Sequence, residues 1–222
     1  MASIISAGTT SGTALNFSGD TSGVLQLATN GTTTAITVDT SQNVLIGGAS
    51  AQTGAKLAVT GGIQGTIKSG TAVSVSGASI DFTSLPSWIK RITVIFSSVT
   101  TSGTSLPLIQ LGTSAGVITS GYSSASTNLQ NASTVSTSSS GSGFQIFKNV
   151  GAQTIIGAFR ISNIDGNAWV CDGSWCSTSN AVVLGTTNGN ISLAGALTSV
   201  RITTTNGTDT FSAGTINILQ EG

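Results

Sequence analysis

The chain has 222 residues, no His, and zero formal net charge, with seven Lys plus Arg against seven Asp plus Glu. Phosphate-neutralising nucleic-acid binders and polybasic membrane-surface binders both need a basic excess, so this balance speaks against nucleic-acid partners and membrane attachment. Charged residues make up 6% of the chain where an ordinary soluble domain carries roughly 25%. Solubility must then rest on Ser, Thr, Asn and backbone, and uncharged β-rich edges need to be closed within a defined oligomer.

No apolar run reaches the ~18 to 20 residues that cross a bilayer, so membrane insertion is not expected. The opening Met-Ala-Ser-Ile-Ile-Ser-Ala-Gly lacks the basic and long apolar parts of a secretory signal, which leads to the expectation of a product assembled in a cytoplasm. Gly, Ser and Thr interrupt every apolar run before three helical turns could form, so helices are expected to be short at most.

From the N-terminus, short apolar runs recur at residues 14–17, 24–27, 35–38, 44–46 and 57–59, a spacing of about ten residues that predicts short strands joined by tight turns. Gly19-Asp20, Asn30-Gly31, Gly47-Gly48 and Gly61-Gly62 supply the positive φ that such turns use. Phe17 is the only aromatic residue in positions 1–65. Each run offers two or three apolar side chains, too few for an independent core. Residues 1–65 are therefore expected to form a shaft in which strands are buried against the same segment of neighbouring subunits.

Near residues 61–71 the runs lengthen, which places the start of a second domain, 66–222. Ile92, Val94 and Phe96 alternate with other residues, as do Ile155, Gly157, Phe159 and Ile161, then Val200 and Ile202, and Ile216 and Ile218. Period-two alternation predicts antiparallel sheets with one face on a core, hence an all-β, jelly-roll-like β-sandwich. Residues 123–143 are nearly all Ser, Thr, Ala, Asn and Gly and read as a long loop, either a solvated connector or a binding surface.

Little in the sequence suggests catalysis. Acid-base chemistry would fall to Asp20, Asp39, Asp81, Asp165, Asp172, Asp209 and Glu221, and most of these stand beside Gly or Thr, where Asx-type turns account for them. Cys171 and Cys176 cannot by themselves make a four-ligand zinc site, so no metal and no cofactor are expected. An Asp172-Gly173 turn would put the two cysteines on one hairpin. A two-residue turn leaves the thiols diagonal and a four-residue loop makes a bridge feasible, and cytoplasmic assembly favours the reduced state. Trp88, after Pro86, is expected to pack at a strand entrance. Trp169 and Trp175 could cover a core edge or stack on a sugar ring. The Thr runs 32–34 and 203–205 lack the regular period of a flat ice-binding array.

Two stretches resemble virion fibre proteins of tailed bacteriophages. VLQLATNGTTTAITVDTSQNVLIGG (24–48) with AKLAVTGGI (55–63) is similar to the shaft repeats of tail-fibre and adhesin-like proteins. IDFTSLPSWIKRITVIFSSV (80–99), IQLGTSAGVITSGY (109–122) and VRITTTNGTDTFSAGTINILQEG (200–222) resemble, in that order, a C-terminal domain of phage tail proteins. The Ser/Thr stretch and the two-Cys segment match it only loosely. The resemblance implies a homotrimeric tail fibre in the virion, non-enzymatic, docking on other tail or baseplate proteins through its N-terminal region. Its C-terminal tip would meet a host-surface glycan or protein, and the candidate receptor-binding residues are Tyr122, Trp169 and Trp175 beside residues 123–143. A capsid decoration or head-fibre protein is the alternative, and a tailspike depolymerase, which needs two acids about 5 to 9.5 Å apart, ranks below it.

Overall fold

The structure is a computed structural model. It describes strands at 25–29, 33–38 and 44–46, and residues 67–130, 134–149, 153–179 and 182–222. The runs 14–17 and 57–59, the four Gly-containing turn pairs of the N-terminal region, Asp20 and Asp39 lie outside the described residues. The chain divides into two units, Met1–Gly62 and Ile63–Gly222.

In the first unit, β1 (Leu25–Thr29), β2 (Thr33–Val38) and β3 (Val44–Ile46) form an antiparallel meander. Leu27 faces Ile36 and Ile36 faces Ile46, and likewise Leu25 faces Val38 and Val38 faces Val44.

In the second unit the strands are β4 (Ile67–Ser69), β5 (Val73–Ser74), β6 (Ile80–Phe82), β7 (Arg91–Thr101), β8 (Pro107–Thr113), β9 (Gly116–Val117) and β10 (Ser123–Gln130). There follow β11 (Thr134–Ser140), β12 (Phe144–Gln145), β13 (Ile155–Asp165), β14 (Ala168–Ser177), β15 (Val183–Ser192), β16 (Ser199–Thr204) and β17 (Phe211–Glu221). The described residues contain no helix. All pairings are antiparallel and fall into two sheets: nine strands ordered β11-β10-β15-β14-β13-β7-β17-β4 with β5 also on β17, and five ordered β12-β8-β16-β6 with β9 on β8.

The two sheets share one apolar core, as a sandwich requires. Ile92, Val94 and Phe96 of β7, Phe159 and Ile161 of β13, and Ile216 and Ile218 of β17 join Ile109 and Leu111 of β8 and Val200 and Ile202 of β16. Phe96 meets Phe159 edge to face at 5.4 Å between centroids, the arrangement that ring quadrupoles favour.

The inward alternation of β7 changes phase after Phe96, because Val99 and Thr101, not residues 98 and 100, are buried. Ser98 has φ 55°, and the register with β13 skips there, Gly157 facing Phe96 and Ile155 facing Val99. This is a β-bulge, one extra residue that turns the next side chains back to the core. Across from it, Gly214 has φ +100°, and a Cβ would stand 2.4 Å from the Ser98 carbonyl oxygen, so only Gly fits.

Two sequence expectations are corrected here. Residues 123–143 are not a long loop: β10 and β11 pair from Ser124↔Ser140 to Gln130↔Thr134. The inward positions of β10 are Ser124, Ser126 and Asn128, all buried, so the alternation is present in small polar residues where aliphatic ones announce it elsewhere. Ser124 Oγ accepts the Gln145 N–H at 3.1 Å, and the Asn128 side-chain amide donates to the Phe147 carbonyl.

Asp172-Gly173 is not a turn either. β14 runs straight through it, with Asp172 opposite Arg160 and Gly173 opposite Phe159. A Cβ on Gly173 would meet the Phe159 ring at 2.5 Å, so pairing on both sides of β14 overrides the local turn signal. Cys171 and Cys176 therefore occupy one strand on opposite faces, separated by roughly 16 Å at ~3.3 Å per residue, far beyond bridging distance. Both are free thiols.

The acids also divide differently from the turn expectation. Asp81, Asp172 and Glu221 stand directly across from Arg201, Arg160 and Arg91 on neighbouring strands and are held by their guanidinium groups. Asp165 and Asp209 do lie at turns. Asp209 accepts the Ser105 N–H at 2.9 Å and the Asn206 amide at 2.9 Å.

Candidate functional site

Period-two alternation gives the large sheet an outer face pointing away from the core, and the registers across β13, β14, β15, β10 and β11 arrange it in rungs. Ile156 faces Cys176, Cys176 faces Leu184, Leu184 faces Leu129 and Leu129 faces Val135. This rung is apolar from end to end. The next, two residues along each strand, consists of Ala158, Ser174, Thr186, Thr127 and Thr137, and the Thr127 and Thr186 hydroxyls are hydrogen-bonded at 2.9 Å. The third holds Arg160, Asp172, Asn188, Ala125 and Ser139.

The face thus grades from aliphatic through hydroxyl to ionic and amide over three rungs, about 14 Å at two residues per rung. At its apolar end a shallow groove is lined by Leu129, Val135, Ile156 and Leu184 with no charged residue. At its polar end a second depression is lined by Thr93, Arg160, Asp172, Ser174, Thr186 and Asn188. Arg160 donates to both Asp172 oxygens, at 3.0 and 2.6 Å. That bidentate geometry fixes the plane of both groups, and it raises the Arg160 pKa above its ordinary value.

The Tyr122, Trp169 and Trp175 side chains do not project from this face, although Trp175 contributes to the floor of the apolar groove, and the fold does not bring the three together at any surface. All three are buried. The Tyr122 ring packs edge to face on Phe144 at 5.1 Å, and its hydroxyl accepts the Leu111 N–H at 2.7 Å. Burial pushes the phenol up to about 12 although that hydrogen bond pulls it down. Trp169 and Trp175 point inward from the same face of β14, and Trp175 covers Gly185, where a Cβ would stand 2.1 Å from the indole nitrogen. Trp88, by contrast, lies half-exposed in the turn before β7 with Gly222 against it.

Comparison with family models and with curated proteins finds no match to this chain. Its chemistry therefore has to be taken from its own residues. Among those described, no group of three or more His, Cys, Asp or Glu lies together to hold a metal. The buried thiol of Cys171 is pushed up by burial and by the neighbouring Asp172.

Sequence reasoning also missed Lys148, a buried amine that donates to Thr101 Oγ1 and to the Gly103 carbonyl. Burial lowers its pKa to about 8 and Asp209 partly restores it, so the amine ties the 101–105 loop to the β16–β17 turn. The outer face was missed for a different reason. Its residues are scattered over five strands, and only cross-strand register assembles them.

Proposed function

We propose that the chain is one subunit of a homotrimeric bacteriophage tail fibre that attaches to host surfaces by multivalent binding. The observation that carries this reading is the division within Ile63–Gly222. Segments 80–99, 109–122 and 200–222, which resemble a phage tail-protein domain, lie on β6 to β9, β16 and β17; β6, β8, β9 and β16 pair in one sheet and β7 with β17 in the other, where β7 also carries β13 and the strands beyond it. The Ser/Thr stretch 123–143 and the two-Cys segment, where the resemblance loosens, form β10, β11 and β14 and supply much of the graded outer face. A frame of one kind with a differing insert is what a specificity surface needs.

The polar depression offers hydroxyls from Thr93, Ser174 and Thr186, the Asn188 amide and the Arg160–Asp172 pair, a donor and acceptor set suited to glycan hydroxyls. Such a site is weak alone. Three copies on one rod raise net attachment ~10²-fold or more without a stronger contact. Residues 1–65 are assigned to the shaft and to docking on other tail proteins, and the mechanism is binding without turnover.

Labelled antibody on intact particles tests the location, with label at the tail expected. Label over the capsid assigns a decoration protein instead. The purified chain should block adsorption to host cells, and the double variant Arg160→Ala, Asp172→Ala should lose that blocking. Release of oligosaccharides by the wild-type chain would make it a depolymerase.

A further inference from the structure

The apolar rung has no core to join. Val135 and Leu184 are 67% and 59% exposed, and Leu129 and Ile156 39% and 38%. Together they present roughly 300 Å² of aliphatic surface in one band, within the range of the largest apolar patch on a monomer, which is often a functional one. Cross-strand neighbours stand about 5 Å apart, so the band is roughly 20 Å long and straight. The adjoining rung carries hydroxyls and no charge, which leaves nothing for a charged partner to read. The four aliphatic side chains include no aromatic ring on which a sugar could stack.

The band also runs out to an open edge. Among the described residues, β11 has β10 on one side and no strand on the other. Its sequence Thr-Val-Ser-Thr-Ser-Ser-Ser has no Lys and no Pro, and its register with β10 has no bulge. Those are the devices that keep a free edge from pairing. A neutral apolar band ending at an unprotected edge fits a second copy of the same chain, because the neighbour's surface, drawn from a chain with 6% charged residues, brings no charge that would have to be buried unpaired.

We propose that this band and the β11 edge are the surface through which the C-terminal units of neighbouring subunits meet. The inference rests on the trimer reading and names its interface. A standard interface takes about 800 Å² from each partner. The band supplies about a third of that and places it at the centre, and β11 with Thr127 and Thr137 supplies the surround, which leaves Ser174 and Thr186 to the polar depression.

Cys176 lies on the rung, half-buried in the single chain, and Cys171 is buried on the opposite face as an internal control. In the full-length native protein, alkylation of Cys176 by iodoacetamide should be at least tenfold slower than in Leu184→Glu. Native mass is measured in parallel and thermal melting checks the fold. Should Leu184→Glu fail to fold, Val135→Glu replaces it, since that side chain is mostly in solvent and touches no core. A wild-type trimer whose Cys176 labels as fast as in the folded variants overturns the interface and leaves the trimer standing. Protection that survives both substitutions overturns it as well. A monomeric wild type removes the trimer reading itself and the interface with it.

Discussion

Replacing Tyr122 with Phe keeps the ring against Phe144 and deletes the hydroxyl that accepts the Leu111 N–H. Leu111 is fully buried, so its N–H finds no water, and the unsatisfied donor lowers stability by ~1 to 3 kcal/mol at neutral pH. The wild type carries an opposite liability at high pH. Its phenol is raised from 10.0 to about 12, so the folded state retains a proton that the unfolded chain surrenders above pH 10. The stability that depends on it is intact below pH 10 and is lost as pH climbs through 12, at about 1.4 kcal/mol per unit and roughly 3 kcal/mol in all. Tyr122→Phe has no such loss. Other titrating groups are common to both proteins and cancel, so urea stabilities that differ at pH 7 should converge towards pH 12. Tryptophan fluorescence follows unfolding, and with a single Tyr in the chain ultraviolet absorbance reads tyrosinate without ambiguity. A gap that stays constant across this range, or tyrosinate appearing near pH 10 in the folded protein, refutes the reasoning.

Other substitutions probe separate parts of the same frame. Gly214→Ala sets a Cβ against the Ser98 carbonyl at positive φ and should lower stability by ~2 kcal/mol or more in chemical denaturation; a neutral effect would mean that the bulge is absent. Gly185→Ala displaces the Trp175 indole, so both the melting temperature and the emission maximum should shift, and an unchanged spectrum speaks against that contact. Phe159→Ala opens the centre of the core and should remove ~3 to 5 kcal/mol. Lys148 has its folded pKa lowered from 10.5 to about 8, so its contribution is full above pH 10.5 and is lost as pH falls to 8. Wild-type stability should therefore gain on that of Lys148→Met between pH 8 and 9, and parallel curves would contradict this.

What the sequence disclosed depended on which residues carried the alternation. Ile92, Val94 and Phe96 gave β7 its inward face, and Ile216 and Ile218 gave β17 its own, because large aliphatic side chains at period two leave one face no place but a core. The same period in Ser124, Ser126 and Asn128 was illegible, since small polar residues are equally at home in a solvated loop. Asp172-Gly173 misled for a related reason: its turn preference is local and weak, and ladders with β13 and β15 on both sides outweigh it. The phase change at Ser98 needed the partner strand to be seen. The graded face was out of reach entirely. Ile156, Leu184 and Val135 are neighbours through pairings that no single stretch of sequence encodes, and the indoles that looked suited to receptor contact had the core as their better solvent.

The placement of β17 between β7 and β4 sets a timetable for the nascent chain. β4 pairs through Ile67, Lys68 and Ser69 with Glu221, Gln220 and Leu219, and β7 meets β17 over most of its length. At ~5 to 20 residues per second, roughly ten to thirty seconds separate the emergence of β4 from that of its partner. Through that interval one edge of β7 stands unpaired on a chain with little charge to repel its neighbours. Crowded ribosomes translating one message would be the point of greatest aggregation risk. Slower initiation, lower temperature or a chaperone that holds strand edges should therefore raise the soluble yield more than any change to the finished molecule.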